Sequence, residues 1–450
     1  MISEDVKFLK TLCIKCRHSV KYFFKYKPKY RKYIDNKILV AGGYGYGNVG
    51  DEAQCSATLR LLSERYKQYR IINLTPNIIY SKQQHPDFEH DYASRVLVYN
   101  AGRDYNIFNF ENSNLKKILF LVRSMWMIFN ARLIRAGMPT ICLNADCAKF
   151  LYELKTAKLF FFCGGGFLTG PTLSRLWDGI MICRCCFLLR TPVVMSGQTI
   201  GIWNTPFNKF YAKYGFRHVK LITVRDFGFS LKDLAMIGIS GENVFATHDD
   251  ALFCDKSKEK QIDLTSYLTL NFHYWGTRNQ KDREQLLKKI NMIVSHIINS
   301  TSYYIVFIPM VKSDKQCFDD YIAKYPEPRF TCFNYDYDFR KVRRVISDSK
   351  ACITMKHHPI IFAMGEDIPA ISLNLFKYYE HKNIGALAQY GMEGFSLNLD
   401  DAEFLKYFSE MFNQIETDYA SICLKIKNSM LQLVEQKKIF LEKIDLILRR

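Results

Sequence analysis

No run of about 20 consecutive apolar residues occurs in this sequence, so a simple membrane-spanning helix is not expected. The nearest candidate, Ile118 to Ile134, is broken by Arg123 and Arg132. An apolar leader is missing as well. Lys7, Lys10, Lys15, Arg17 and Lys21 interrupt every N-terminal candidate, and a cytoplasmic location is the expectation. The 14 cysteines form no framework of spaced pairs; they scatter through apolar segments such as Ile182-Cys183-Arg184-Cys185-Cys186-Phe187. That pattern argues against a secreted disulfide scaffold and fits buried free thiols in a reducing compartment. The CxxC at Cys13-Ile14-Lys15-Cys16 lies in a basic, helix-like stretch with no neighbouring pair to complete a zinc site, and His18 does not replace one, so no metal is expected. Acidic residues are in short supply, 44 against 63 Lys and Arg, and the net charge of +19 calls for an anionic partner. Repeats of solenoid period and low-complexity tracts are absent. Glycine and proline disappear from Asp400 to Arg450, which therefore reads as two helices.

What is present is a globular composition, 48% hydrophobic and 15% aromatic, in a chain long enough for two large domains. Residues 1–37 form a basic, aromatic arm, as in Lys21-Tyr22-Phe23-Phe24-Lys25-Tyr26-Lys27-Pro28-Lys29. The arm admits adhesion to an anionic membrane surface at the inner face of the cell membrane, or packing as a solvated helix. Nucleic acid is not an expected partner, because no recognised motif accompanies the charge. From residue 38 to 254, short apolar runs alternate with helical patterns: Ile71 to Leu74, Val96 to Tyr99, Leu159 to Phe162, Pro192 to Met195 and Leu221 to Val224. Such strands are buried on both faces, which predicts parallel βα units, a doubly wound domain and a ligand crevice at the strands' carboxyl ends. Asn106 to Gly137 reads as an insertion whose helix either faces a membrane or packs in the core. Residues 255–266, DKSKEKQIDLTS, read as a linker. A second alternating set fills 267–399, with strands over Tyr267 to Phe272, Tyr303 to Ile308, Arg329 to Phe333, Ala351 to Met355 and Ala370 to Leu373, and a helix over Gln280 to Asn299. The helices of 400–450 either close the structure or dock back on the first domain.

The stretch Ala41 to Leu61, AGGYGYGNVGDEAQCSATLRL, places five glycines between a strand and a helix start. Glycines there permit positive φ and close backbone approach, which serves a ligand or merely a tight turn. Asp51 and Glu52 would repel a phosphate, so recognition of a hydroxyl, or general-base work on an alcohol, suits the loop better. Cys163-Gly164-Gly165-Gly166 and Ser196-Gly197-Gln198-Thr199-Ile200-Gly201 read as two more glycine turns after buried strands. Arg225-Asp226 ends another strand and serves either a ligand or an internal ion pair that caps the next helix. His248-Asp249-Asp250 follows a further strand, where capping or orienting suits the carboxylates better than a metal. Met355-Lys356-His357-His358-Pro359 is the richest group. A lysine and two histidines at a strand end can bind a doubly charged anion while one histidine exchanges a proton. On an extended chain the adjacent histidines would point to opposite faces, leaving one in the crevice.

In order along the chain, GGYGYGNVGDEA, FFCGGGFL, SGQTIG, ITVRD, HDDALF and KHHPIIFAMGEDIPAISLNLFKYYEHK resemble the motifs of the polysaccharide pyruvyl transferase family. The resemblance spans roughly Ile38 to Gly391 and leaves out the arm and the C-terminal helices. It implies a GT-B-like α/β fold of two Rossmann-like domains facing a cleft. It also implies transfer of pyruvyl from phosphoenolpyruvate, a donor substrate with no cofactor, to hydroxyls of a sugar, oligosaccharide or lipid-linked glycan. Where the family shows Arg-x-His, this chain has Lys356-His357-His358, so a point charge replaces a bidentate fork. Arg225 matches the family's strand-end arginine. The expectation is a donor held by Arg225, Lys356 and His357, with His358 as general acid or base. Asp51 would orient or deprotonate an acceptor bound by Gly47, Asn48, Glu52, Gly165 and Gln198. A nucleotide-sugar glycosyltransferase and a non-catalytic basic membrane adaptor are the alternatives.

Overall fold

The protein is described by a computed structural model over residues 35–92, 114–141, 143, 145–334, 337–375 and 377–449. The basic arm up to residue 34, the strand expected at Val96 to Tyr99 and the start of the expected insertion lie outside the described residues. The first half runs β1 (Asp35–Ala41), α1 (Val49–Arg65), β2 (Arg70–Thr75), α2 (Ile78–Gln84), β3 (Glu89–Tyr92), α3 (Asn114–Arg135), α4 (Ala145–Thr156), β4 (Ala157–Phe162), β5 (Gly165–Thr169), α5 (Leu173–Leu189), β6 (Val193–Gly201), α6 (Pro206–Phe216), β7 (Leu221–Val224), α7 (Phe229–Met236) and β8 (Val244–Ala246). Residues 254–266 carry neither helix nor strand. The second half runs β9 (Tyr267–Asn271), α8 (Gln280–Ser300), β10 (Tyr304–Phe307), α9 (Lys312–Lys324), β11 (Phe330–Cys332), α10 (Phe339–Ser347), β12 (Cys352–Thr354), α11 (His357–Met364), β13 (Ala370–Asn374), α12 (Lys377–Ala388), β14 (Ser396–Asn398) and α13 (Phe404–Arg449).

These strands form two parallel sheets. The first has the order β3-β2-β1-β4-β6-β7-β8 with β5 alongside β6, and the second has the order β11-β10-β9-β12-β13-β14. Continuous apolar runs explain why the sheets are covered on both faces: β6 is buried at all nine positions, and Leu39 and Phe160 pack into one layer while Ile38, Val40 and Phe161 pack into the other. Each sheet reverses its winding once, between β1 and β4 in the first and between β9 and β12 in the second. The loops leaving strands on either side of such a reversal diverge and leave a crevice. Here the two crevices face each other.

One local difference from expectation has a physical cause, and two readings that the sequence left open are resolved. Residues 196–201 are not a turn; β6 continues through them, accommodating Gly197 at φ 48° in a bulge against β7 and ending at Gly201, whose φ is 126°. The α3 helix of the expected insertion buries one face in the first core, against α5, while the opposite face is bare. The C-terminal helices meet at Asp418 (φ −108°, ψ 18°) and bridge both halves. Phe408, Phe412 and Ile415 belong to the second core, whereas Phe440, Leu441 and Ile444 lie against the first sheet, with Phe440 6.3 Å from Phe161 edge to face.

Ile444 is fully buried at that return contact. Ile444→Ala is expected to cost about 2–5 kcal/mol in urea unfolding, and a loss below about 1 kcal/mol would contradict the docking.

Candidate active site

The facing crevices enclose a cavity of about 580 Å³. From the first half it receives Gly43, Asn48 and Asp51 of the loop after β1, Gly166 and Phe167 of β5, and Arg175 of α5. The second half contributes His273, Tyr274 and Trp275 after β9, Asp314 of α9, Lys356, His357 and His358 after β12, and Tyr379 and Lys382 of α12. The size lies in the range of small-molecule sites.

The glycine loop sets how closely the halves approach. Asn48 caps α1 by accepting from the Gly50 amide at 3.1 Å, and the Val49 amide donates to the Met310 carbonyl at 3.1 Å across the cleft. A β-carbon on Gly50 would meet the His358 ring at 2.0 Å, so only glycine lets the first turn of α1 reach this histidine. The histidines begin helix α11, where backbone curvature turns both rings toward the cavity with centroids 5.4 Å apart. The expectation that only one would face the crevice assumed an extended chain and is corrected here.

Behind the histidines lies Asp249. One carboxylate oxygen accepts from Gln54 Nε2 at 2.8 Å and from the Ala251 amide at 2.8 Å. The other accepts from the Arg225 guanidinium and from His357 Nε2 at 3.2 Å. Burial opposes its charge, but Arg225 and the His357 hydrogen bond outweigh that and hold the carboxyl well below the usual range. An ionised carboxylate only accepts, so His357 carries its proton on Nε2 and leaves Nδ1 bare, with no partner. Burial, reinforced by Arg225, pushes the His357 pKa down to about 3. His358 is pushed well below its ordinary value, chiefly by burial, and its Nε2 has no partner either. His273 accepts from the Trp275 amide on Nδ1 at 3.1 Å, which puts its proton on Nε2; burial and then Lys356 bring its pKa to about 3. The cavity is therefore lined by neutral imidazoles at neutral pH.

Charge enters through the cations. Lys356 Nζ pairs with both Asp314 oxygens at 2.7 and 2.8 Å, and Arg175 stands 4.6 Å over the Tyr46 ring. Lys382 and Asp51 both line the cavity. Burial pushes the Lys382 amine down and the Asp51 carboxyl up, so both protonation equilibria move toward neutrality. Such an array favours a multiply charged anion and offers a base beside it.

Of the residues singled out in the sequence, Asn48, Asp51, Lys356, His357 and His358 come together at the cavity. Five others are placed elsewhere. Arg225 is 1% exposed and lies behind the histidines, its side chain bonded to Asp249 and, at 2.9 Å, to Thr199. Its ion pair is with Asp249, while Asp226 caps α7 through the Ser230 amide at 2.7 Å. Glu52 is fully buried, accepting from the Gly45 amide at 2.6 Å and facing His85 at 3.3 Å. Gln198 is also fully buried and donates to the carbonyls of Cys163 at 2.5 Å and Ser196 at 3.0 Å. At Gly165 a β-carbon would clash with Phe167 at 2.6 Å, and it is Gly166 that reaches the cavity. Gly47 adopts φ 75° in the turn and is not part of the wall. Asp250 accepts from Ser196 Oγ at 2.6 Å, the Gly164 amide at 2.8 Å and Thr58 Oγ1 at 3.1 Å, an orienting role. Sequence reasoning missed Arg175, His273, Trp275, Asp314, Tyr379 and Lys382. The polar and aromatic run His273-Tyr274-Trp275-Gly276 directly after a strand was a usable signal, and Lys382 closes the last motif; Arg175 and Asp314 carried none. Among the described residues, no group of three or more His, Cys, Asp or Glu is placed to hold a metal.

Two parallel Rossmann-like sheets facing across a polar cleft define a GT-B-like α/β protein. Three solved structures share that arrangement. A glycosyltransferase from Rickettsia africae is 13% identical, covering 92% of this chain and 99% of its own, with a TM-score of 0.51. The UDP-GlcNAc 2-epimerase of Neisseria meningitidis bound to UDP-GlcNAc is 12% identical over 91% and 99%, at 0.51. S. aureus MnaA with UDP is 9% identical over 90% and 96%, at 0.54. These likenesses are of fold alone. No curated protein matches the chain by sequence. The profile of the polysaccharide pyruvyl transferase family matches residues 48–375, well over half the chain, and the chain belongs to that family. It is accordingly an enzyme of this transferase type.

Histidine ¹⁵N spectra of the free protein at pH 5.5 are expected to show His357 as a neutral imidazole protonated on Nε2. A doubly protonated signature at that pH would contradict the buried arrangement with Asp249.

Proposed function

We propose that this chain moves the pyruvyl group of phosphoenolpyruvate onto two hydroxyls of a sugar in a cell-surface polysaccharide or its lipid-linked precursor. The observation that carries this reading is the meeting of Arg175, Lys356 and Lys382 with neutral His358 in one cavity. Phosphoenolpyruvate offers the matching charges, a phosphate and a carboxylate on a three-carbon frame. Lys356 and Lys382 would hold these anions, and His273 would add an N–H donor. No cofactor is required.

The chemistry balances on these groups. Bound donor charge raises the pKa of His358, which then delivers a proton to the enol methylene and turns it into a methyl group. One sugar hydroxyl adds to the resulting oxocarbenium-like carbon as Asp51 takes its proton. The carbon–oxygen bond to phosphate breaks, and the second hydroxyl adds to the same carbon, closing the ketal. One acceptor proton thus replaces the proton spent on the methyl group, and the other leaves with phosphate. Asn48 borders the acceptor side, and Trp275 and Tyr379, 5.2 Å apart edge to face, give it an aromatic wall. His357 and Arg225 act from behind by positioning. Anionic membrane contact through the basic arm would bring a lipid-linked acceptor to the cleft. UDP in two of the structural neighbours supports a nucleotide-sugar donor as the competing reading, and donor choice separates the two.

Purified protein with phosphoenolpyruvate and a glycan panel is expected to release phosphate and add one pyruvyl mass to a glycan. His358→Ala, with an unchanged melting temperature, is expected to lower kcat by about 10²-fold or more. Full activity in that variant would remove His358 from the mechanism.

A further inference from the structure

Helix α3 has one covered face and one bare face. Phe120, Met127, Ile128 and Ala131 are buried in the first core. On the other side Ile118, Val122, Met125 and Phe129 recur at helical spacing and are 57, 60, 57 and 41% exposed. Trp126, 39% exposed, stacks on Phe129 at 5.3 Å. Helix α6 lies nearby, connected through Trp177 of α5, whose ring is 5.8 Å from Phe120 and 5.6 Å from Phe207. It adds two more bare aromatics, Phe207 at 42% and Phe210 at 67%.

Charge says what would cover this face. Neither α3 nor α6 contains an aspartate or glutamate; Arg123, Arg132, Arg135 and Lys213 are exposed on them, and Lys117 is half-buried. An apolar, aromatic strip on two helices whose only charged side chains are cations matches the boundary between lipid headgroups and acyl chains, where anionic headgroups meet the cations. A second copy of this chain fits poorly, because pairing two such faces would set cation against cation. Spanning is not at issue: among the described residues no helix is long and apolar enough to cross a membrane. The face also adjoins the cleft, since Arg175 and Trp177 sit on the same stretch of α5, the first in the cavity wall and the second beneath α3 and α6.

We propose that the α3–α6 face docks on a membrane surface bearing anionic lipid headgroups, with Trp126 and Phe129 at the acyl boundary. The inference stands on this surface alone and is independent of the reaction in the cleft.

The test uses the full chain with vesicles of phosphatidylcholine, with and without phosphatidylglycerol. Co-flotation with the anionic vesicles is expected, and Val122→Glu with Met125→Glu together should weaken it by about tenfold or more. Brominated acyl chains should quench tryptophan fluorescence, and Trp126→Phe should remove most of that quenching. The basic arm is identical in every variant, so it cannot produce these differences. Equal flotation of the double variant, or flotation abolished by salt without any quenching, would overturn the proposal and leave the arm as the contact. A dimer in the absence of lipid that the double variant dissociates would overturn it in favour of a second copy. A lowered melting temperature in that variant, with unchanged flotation, would instead show that another part of the chain covers the face.

Discussion

Asp249 holds a negative charge away from water, and the geometry of the cleft follows from the partners that make this tolerable. An isolated buried carboxylate costs several kcal/mol, so it persists only where ion pairing and hydrogen bonds replace its hydration. Beyond the neighbouring Ala251 amide, its side-chain partners come from three places: Gln54 of α1, Arg225 at the end of β7 and His357 at the start of α11. The first two belong to the first half of the chain and the third to the second. One carboxylate therefore fixes the second half's histidine pair against the first half's glycine loop. Gly50 provides the close approach from the other side, and Gln389 donates to the carbonyls of Arg225 at 2.7 Å and Thr247 at 3.1 Å across the same seam.

This arrangement sets the electrostatic character of the cavity. Burial keeps His357 neutral and lowers the Lys382 amine, and Arg225, which spends its charge on Asp249, adds to both effects from behind. The cleft thus holds imidazoles short of a proton, a Lys382 amine drawn toward neutrality and a Lys356 ammonium paired with Asp314. An entering anion corrects both conditions, because it attracts the lysines and raises the affinity of the histidines for protons. Binding of charge and readiness for proton transfer become one event.

Much of the fold could be read from the sequence because parallel strands buried on both faces leave unbroken apolar runs. Leu221 to Val224 coincides with β7, and Gln280 to Asn299 lies within one residue of α8. The short strands β3, β5, β8 and β14 were harder. Glu89–Tyr92 is charged and aromatic, and Gly165–Thr169 begins with two glycines, so neither presents an apolar run. The site was legible where chemistry sits next to a strand end, as at Lys356, His357 and His358. It was misjudged where a polar residue in a motif faces inward, as Glu52 and Gln198 do, because residue type does not reveal which way a side chain points. Asp314 was missed since it reaches the cavity from a helix whose local sequence resembles any solvated surface, and Arg175 since it is a lone cation in the first turn of an otherwise apolar, buried helix.

The central claim is that this cleft is built for a small, doubly anionic donor whose charge calls a proton onto a neutral histidine. The most direct measurement is calorimetric titration of the protein with phosphoenolpyruvate, and separately with UDP-N-acetylglucosamine, in buffers of different ionisation enthalpy. Saturable binding of phosphoenolpyruvate with net proton uptake near neutral pH, and none of the nucleotide sugar, is the expected result. Saturable binding of the nucleotide sugar with no heat from phosphoenolpyruvate would contradict the account.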